Sequence, residues 1–305
     1  MKTKLLVVGG TGFIGHHLLR TVRAKGWDTT SVSLHKPSEL RYVEGTKYFQ
    51  LNLCNKERAK QCLIDQKFQY VVNLGGYIDH TSFKEGGQKV IESHFSGLLN
   101  LIESLNRDHL QRFVQIGSSD EYGNTPTPQS EESREQPISP YSAAKAAATH
   151  FLQMLHRTEG YPSTILRLFL TYGPCQDYSR FLPQVINGCL KDERFPTSTG
   201  KQLRDFCYVT DTVDAIVTSL ENQKAIGEVF NAASGQPVAI KSIIEQVVSL
   251  VGTGDPQFGE IPYRSGENME LYADSSKIKE ILGWEPKISI SEGLKNTIDW
   301  YEGQN

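Results

Sequence analysis

Residues 4–17, Lys4-Leu-Leu-Val-Val-Gly-Gly-Thr-Gly-Phe-Ile-Gly-His-His17, decide how this chain begins to fold. Leu5 to Val8 form a short apolar run of the length expected for a buried strand. Gly9, Gly12 and Gly15 follow at once, and "IGHHLLRTVRAKG", residues 14–26, then repeats at helical spacing up to a glycine stop. Glycines at such a turn permit a tight bend, close approach of another group to the backbone, and close packing of helix on strand. A helix that starts there directs its free amides and the positive end of its dipole outward. That combination suits a pyrophosphate, so the turn is read as a dinucleotide site, with Phe13 and Ile14 between the glycines.

Outward from this turn, apolar runs and amphipathic segments alternate. "DTTSVSL" (28–34), "KYFQLNL" (47–53), "YVVNLGG" (70–76), "RFVQIGSS" (112–119) and "STILRLFLTYG" (163–173) read as strands. "KERAKQCLIDQ" (56–66), "VIESHFSGLLNLIESLN" (90–106) and "SAAKAAATHFLQMLHRTEG" (142–160) read as helices. Such alternation implies βαβ units and a parallel sheet covered by helices on both faces. Between the fifth strand and the third of these helices, residues 123–140 hold four prolines and form a loop. After Tyr172 the pattern loosens into short elements. The expected division is a dinucleotide-binding domain over 1–172, to which 202–234 returns, and a smaller lobe made of 173–201 and 235–305.

Bulk composition narrows the function classes. The chain is 38% hydrophobic and 22% charged, with a net charge of −3, ordinary for a soluble globular protein. The charge and the absence of a basic run argue against a nucleic-acid partner. No apolar stretch has the length of a membrane span, and the N-terminus lacks the pattern of a secretory signal, so a cytoplasmic location is expected. Five cysteines are scattered without a C-x-x-C pair, which predicts reduced thiols and neither a disulfide framework nor a metal site.

Two further readings concern chemistry. A dinucleotide site specific for NAD usually places a carboxylate at the end of the second strand. Here Ser33 falls near that position and His35 and Lys36 follow, a set that suits a 2′-phosphate and favours NADP(H) over NAD(H). Tyr141 and Lys145 are spaced i, i+4 on one helix face. An ammonium beside a phenol favours the phenolate, which lets the tyrosine exchange protons near neutral pH. Lys145 is also placed to hold a ribose.

With these motifs in order, the sequence resembles the extended short-chain dehydrogenase/reductase family that acts on nucleotide-activated sugars. The resemblance runs through "GGTGFIG", "FQLNL", "GLLNLIES", "GSSDEYG" (117–123), "SPYSAAKAA" (139–147), "ILRLFLTYGP", "RDFCYVTDTVDAI", "EVFNAASG" and "ADSSKIKEILGWEP". It implies a Rossmann-type doubly wound α/β parallel sheet with a smaller C-terminal α/β lobe that binds a nucleotide-linked sugar. It also implies Ser118, Tyr141 and Lys145 as the catalytic set, with Ser118 and Tyr141 on the sugar oxygen while hydride moves at the nicotinamide. Asn52, beside Leu53, stands where the family has an Asp that meets the adenine amine. Arg204 and Arg264 match arginines that pair with the substrate diphosphate, and His80 and Ser119 are further candidate substrate contacts. A homodimer built on two helices of the first domain, one of them carrying Tyr141, is implied as well. The departures are His94 for a common Asn, the glycines of "NLGGY" (73–77) for an alanine pair, and Leu170 for an Asn that contacts substrate.

Asp120, two residues after Ser118, occupies the place where the family's sugar 4,6-dehydratases carry a base. The pattern "GSSDEYG" is equally similar to "GSSEEYG" of GDP-6-deoxy-4-ketohexose reductases, which perform no elimination. Asp120 is thus compatible with both chemistries, or with a cap on loop amides. Strand alternation turns Glu121 away from Asp120, which gives it a structural role. The reading favoured is an NAD(P)-dependent reductase acting on the C4 ketone of a nucleotide-linked 4-keto-6-deoxyhexose. The alternatives are a 4,6-dehydratase or epimerase with internal hydride return and, in another class, a non-catalytic dinucleotide-sensing scaffold.

Overall fold

The computed structural model describes residues 2–263 and 267–304. Its first half runs β1 (Lys4–Val8), α1 (Phe13–Ala24), β2 (Asp28–Ser33), β3 (Lys47–Gln50), α2 (Lys56–Leu63), β4 (Tyr70–Asn73), α3 (Gln88–Ile91), a π turn (Glu92–Ser96), α4 (Gly97–Ser104), β5 (Arg112–Ser118), α5 (Pro140–Glu159) and β6 (Ser163–Leu168). The remainder runs β7 (Leu170–Tyr172), α6 (Phe181–Leu190), β8 (Arg194–Thr197), β9 (Leu203–Tyr208), α7 (Val209–Glu221), β10 (Val229–Ala232), β11 (Pro237–Ala239), α8 (Ile240–Val251), β12 (Asp255–Phe258), β13 (Glu270–Leu271), α9 (Ser276–Leu282) and α10 (Ile290–Glu302).

Seven strands form one sheet in the order β10-β6-β5-β4-β1-β2-β3, and every pairing in it is parallel. β5 and β6 are buried along their whole length, as strands covered on both faces must be. One face packs against Leu18, Leu19 and Val22 of α1 and Val213, Ile216 and Leu220 of α7. α9 and Trp284 join that same core through Ile278 and Leu282. The other face takes Ala59 and Leu63 of α2, Leu98 and Leu101 of α4, and Ala148, Leu152 and Leu155 of α5. Strand order reverses between β1 and β4, and the crevice at their C-terminal ends is where this architecture receives ligands.

A second sheet, β11-β9-β13 with β7 on β9, draws β7 and β9 from stretches expected to lie with the first domain, while β10 of the same returning stretch does join the main sheet; β12 pairs β8 separately. Its core gathers Ile186 of α6, Phe206 of β9, Ile243 and Val247 of α8, and Leu294 and Ile298 of α10. Two segments differ from the sequence pattern. The helix expected over 90–106 contains a π turn at 92–96, whose extra residue rotates His94 into the crevice. The strand expected over 163–173 breaks at Phe169, and its last residues leave the main sheet for β9.

Candidate active site

The glycine turn has no room for side chains. Gly9 has φ +80°, and a β-carbon on it would come 3.0 Å from the carbonyl carbon of Leu74, just past β4. On Gly15 a β-carbon would lie 2.3 Å from the Gly9 oxygen. Gly12 caps α1 without a side-chain hydrogen bond, so no side chain competes for the amides of the first helical turn. Phe13 packs edge-on to His17, and Ile14 lies against the core below. These residues fit a dinucleotide pyrophosphate.

The adenosine end is marked by the second and third strands. The Thr11 amide reaches Ser33 Oγ at 3.4 Å, tying the glycine turn to the end of β2. His35 and Lys36 are exposed immediately beyond. Asn52 is exposed, and its Oδ1 accepts the amide of Cys54 at 2.9 Å, leaving one lone pair for an outside donor. Asn100 of α4 donates to the Leu53 carbonyl at 2.8 Å, which joins the "FQLNL" and "GLLNL" segments.

Across the crevice, β5 ends in the proposed reacting groups. Ser118 is 8% exposed, and its Oγ accepts the amide of Asp120 at 3.1 Å, which leaves the hydroxyl proton to be donated elsewhere. Ser119 beside it is buried. Ser139 caps α5, Pro140 opens it, and Tyr141 follows in the first turn, 4% exposed. Lys145 is one turn on, its Nζ donating to the Ile116 carbonyl at 2.8 Å and lying 5.9 Å from the Tyr141 ring centroid. Burial pushes the Tyr141 phenol up, Asp120 adds to this, and a hydrogen bond with Ser118 opposes it. The same burial pulls Lys145 down to about 8, against Glu121 and Asp120. Burial is thus the largest influence on the Tyr141 phenol, and the Lys145 ammonium is directed at the Ile116 carbonyl.

Asp120 faces the crevice with its side chain a third exposed, and its Oδ2 lies 4.0 Å from Nε2 of His80. Enclosure in the crevice pushes the carboxyl up, while His80, Ser118 and Arg204 pull it down. The imidazoles of His80 and His94 both meet the Tyr141 ring edge-on, at 5.6 and 5.0 Å between centroids. His94 donates from Nε2 to the Tyr77 carbonyl at 2.8 Å, and burial followed by the Lys145 charge lowers it to about 3. Asp79 is spent on a local turn, accepting from the amide and hydroxyl of Thr81.

On β9 of the second sheet, Arg204 is 9% exposed, pairs through Nη2 with Glu267 and donates from Nη1 to the Leu203 carbonyl. Arg264 lies outside the described residues. Leu170 is 41% exposed at the start of β7. Glu121 is completely buried while Asp120 faces the crevice, but the two are parted by the tight helical turn Ser119–Glu121 that follows β5 and not by the strand alternation expected from the sequence. In the sequence His94 stands only as a departure and nothing marks Arg167 or Glu135; Gly76 and Gly117, which make space for His94 and Glu121, are the signals the sequence carries. Among the described residues, no group of three or more His, Cys, Asp or Glu is placed to hold a metal, and no helix is long and apolar enough to cross a membrane.

A parallel sheet with a glycine turn after its first strand, and a Ser–Tyr–Lys set formed by the end of β5 and the first turns of α5, defines an enzyme of the extended short-chain dehydrogenase/reductase class. More narrowly, the chain belongs to the NAD dependent epimerase/dehydratase family, whose model matches residues 5–233. It is 28% identical over 311 residues to a UDP-glucuronate 4-epimerase of Thermodesulfobacterium geofontis, covering 97% of this chain and 95% of that one. A dTDP-glucose 4,6-dehydratase of Xanthomonas campestris pv. campestris is likewise 28% identical, over 331 residues, with 97% and 92% covered. Among solved structures, UDP-glucose 4-epimerase of Thermotoga maritima with UDP-glucose superposes with TM-score 0.92 at 25% identity, over 99% of both chains. UDP-glucuronic acid 4-epimerase of Bacillus cereus, in complex with UDP-glucuronic acid and NAD, gives 0.88 at 26%, over 99% of this chain and 100% of that one.

Proposed function

We propose that this chain catalyses hydride chemistry at C4 of a nucleotide-linked hexose, and that its turnover is reduction of a 4-keto-6-deoxyhexose. The observation that carries the reading is the convergence of Ser118, at the end of β5, with Tyr141 and Lys145 of α5. A bound nicotinamide would supply the hydride. Ser118, its Oγ already accepting from the Asp120 amide, donates a hydrogen bond to the ketone oxygen and polarises it, keeping its own proton. Tyr141, held as a phenol, delivers the proton that converts the oxygen to a hydroxyl. Lys145 offers its ammonium to the ribose and to the phenolate left behind. Arg204 would exchange Glu267 for the substrate diphosphate, a contact suited to a guanidinium.

The finer choice of a reductase rests on the "GSSDEYG" pattern and on the lack of a carboxylate over Ser33–Lys36, which suits NADPH. A second reading, dehydratase or epimerase with internal hydride return, is favoured by Asp120, a third proton-transfer group facing the same crevice. Relatives named as 4-epimerases and 4,6-dehydratases point the same way. Mixing the protein with NADPH and a panel of GDP-, CDP- and dTDP-linked 4-keto-6-deoxyhexoses separates the two. Stoichiometric loss of NADPH absorbance supports the reductase, and no net loss with product formed from a nucleotide hexose replaces it. Comparing Kd for NADP and NAD tests the cofactor, and a clear preference for NAD refutes that part. A homodimer through α5 and a neighbouring helix, and a reducing cytoplasmic compartment consistent with five free thiols, complete the proposal.

A further inference from the structure

Ser118 is held from behind by a buried acid. Oε1 of Glu121 accepts the Ser118 amide at 2.9 Å, while Oε2 accepts from Thr149 Oγ1 at 2.8 Å and from Arg167 Nε at 2.9 Å. Arg167, on β6, is the ladder partner of Gly117 and is 1% exposed. Its guanidinium sits 4.5 Å over the Tyr122 ring and pairs through Nη2 with Glu135, which His150 of α5 reaches at 3.2 Å. A β-carbon on residue 117 would approach Glu121 Oε1 to 2.4 Å, so the cluster exists only because that residue is glycine. Two carboxylates share one guanidinium, and the excess negative charge lies directly behind the site.

A neutral side chain would cap this turn at less cost, since a buried carboxylate must be desolvated and then compensated. We propose that Glu121 is a positioning residue for proton transfer: bridging the Ser118 amide at the end of β5 and Thr149 of α5, one turn beyond Lys145, it fixes the serine and sets a buried negative charge beside the lysine that holds the Ile116 carbonyl. This rests on the reading of Ser118, Tyr141 and Lys145 given above. The groups facing Lys145 are Tyr141 on its own helix, His94 on the π turn, and Asp120 and Glu121 on the turn after β5. Those around Glu121 are Arg167, Glu135, His150, Thr149 and Tyr122. Of the influences on Lys145, Glu121 is the foremost that opposes burial. Removing its charge leaves burial less opposed and moves the lysine further down, so the ammonium is lost at lower pH.

The test reads the lysine directly as well as through turnover. The 15Nζ resonance of Lys145 is titrated in wild type, Glu121→Gln and Glu121→Asp, and the pH profile of kcat/KM is measured on the same proteins. In Glu121→Gln the midpoint and the alkaline limb of the profile move to lower pH by roughly one unit or more. In Glu121→Asp, which keeps the charge but is too short to span Ser118 and Arg167, the midpoint stays and kcat falls. A wild-type midpoint in Glu121→Gln overturns the proposal. Should that variant not fold, Gly117→Ala, which displaces the carboxylate, carries the test: lowered kcat with a shifted midpoint supports the proposal, and wild-type values of both refute it. Because the resonance needs no substrate, a midpoint shift without any turnover in wild type sinks the reading of the reaction and leaves the charge coupling standing.

Discussion

A side chain at residue 76 and the ring of His94 exclude one another: a β-carbon on Gly76 would come 2.1 Å from Cε1 and 2.5 Å from Nδ1 of the imidazole. The glycine at 76 and the histidine at 94, two separate departures in the sequence, are thus one arrangement that places an imidazole edge on Tyr141. Gly76→Ala is expected to destabilise the fold by ~1–3 kcal/mol through overpacking, with a further ~1–2 kcal/mol from forcing a β-carbon onto a backbone at φ +115°. In a His94→Asn background only the backbone part should remain. Urea unfolding of the four proteins checks this, and strict additivity of the two substitutions contradicts it.

Stability should fall with acidity before the carboxylates titrate. Burial, chiefly, holds His94 at about 3 and His16 at about 4, against an ordinary value of 6.5. Between 6.5 and those values the unfolded chain binds protons that the folded chain refuses, so unfolding free energy rises with pH there. Each histidine contributes a slope of ~1.4 kcal/mol per pH unit at most. Denaturant unfolding at pH 7 and pH 5 measures the loss, and His94→Asn should reduce the slope; an unchanged slope removes His94 from the account.

Replacing Tyr141 by Phe removes the phenol but keeps the ring against which His80 and His94 pack. Turnover should drop by roughly 10²–10⁴-fold, the range for a lost proton-transfer group. The Kd for the dinucleotide should stay nearly constant, since the glycine turn is untouched. Near-normal turnover would mean that another group moves the proton.

Asp120→Asn separates the two readings of the reaction. In a reductase, Asp120 serves the turn after β5 and its neighbour His80, and NADPH consumption should persist within about tenfold. A loss of 10²–10⁴-fold, with the oxidised sugar accumulating, would instead make Asp120 the base of an elimination.

The parallel sheet and the glycine turn were legible because both are local: strand-length apolar runs, helical periodicity and glycine spacing each occupy a few consecutive residues. Ser118, Tyr141 and Lys145 were legible through their motif, and the structure brings them together. The upward push on the Tyr141 phenol was not, since two residues on one helix face say nothing of burial or of the Ile116 carbonyl that takes the ammonium. Glu121 was readable only as turned away from Asp120; its partners Thr149 and Arg167 lie 28 and 46 residues on. The π turn at 92–96 and the break at Phe169 were invisible because neither interrupts the hydrophobic pattern.

That break has a mechanical consequence. The last ladder pair between β5 and β6 is Ser118 with Leu168, and after Phe169 the next residue, Leu170, is already registered on Phe206 of the other sheet. One residue of backbone therefore joins the ladder that ends at Ser118 to the sheet that carries Arg204. So short a link leaves no slack: a tilt of the second sheet would be felt at the end of β5, and on the proposed reading gripping the far end of a substrate and aligning its near end would be a single displacement.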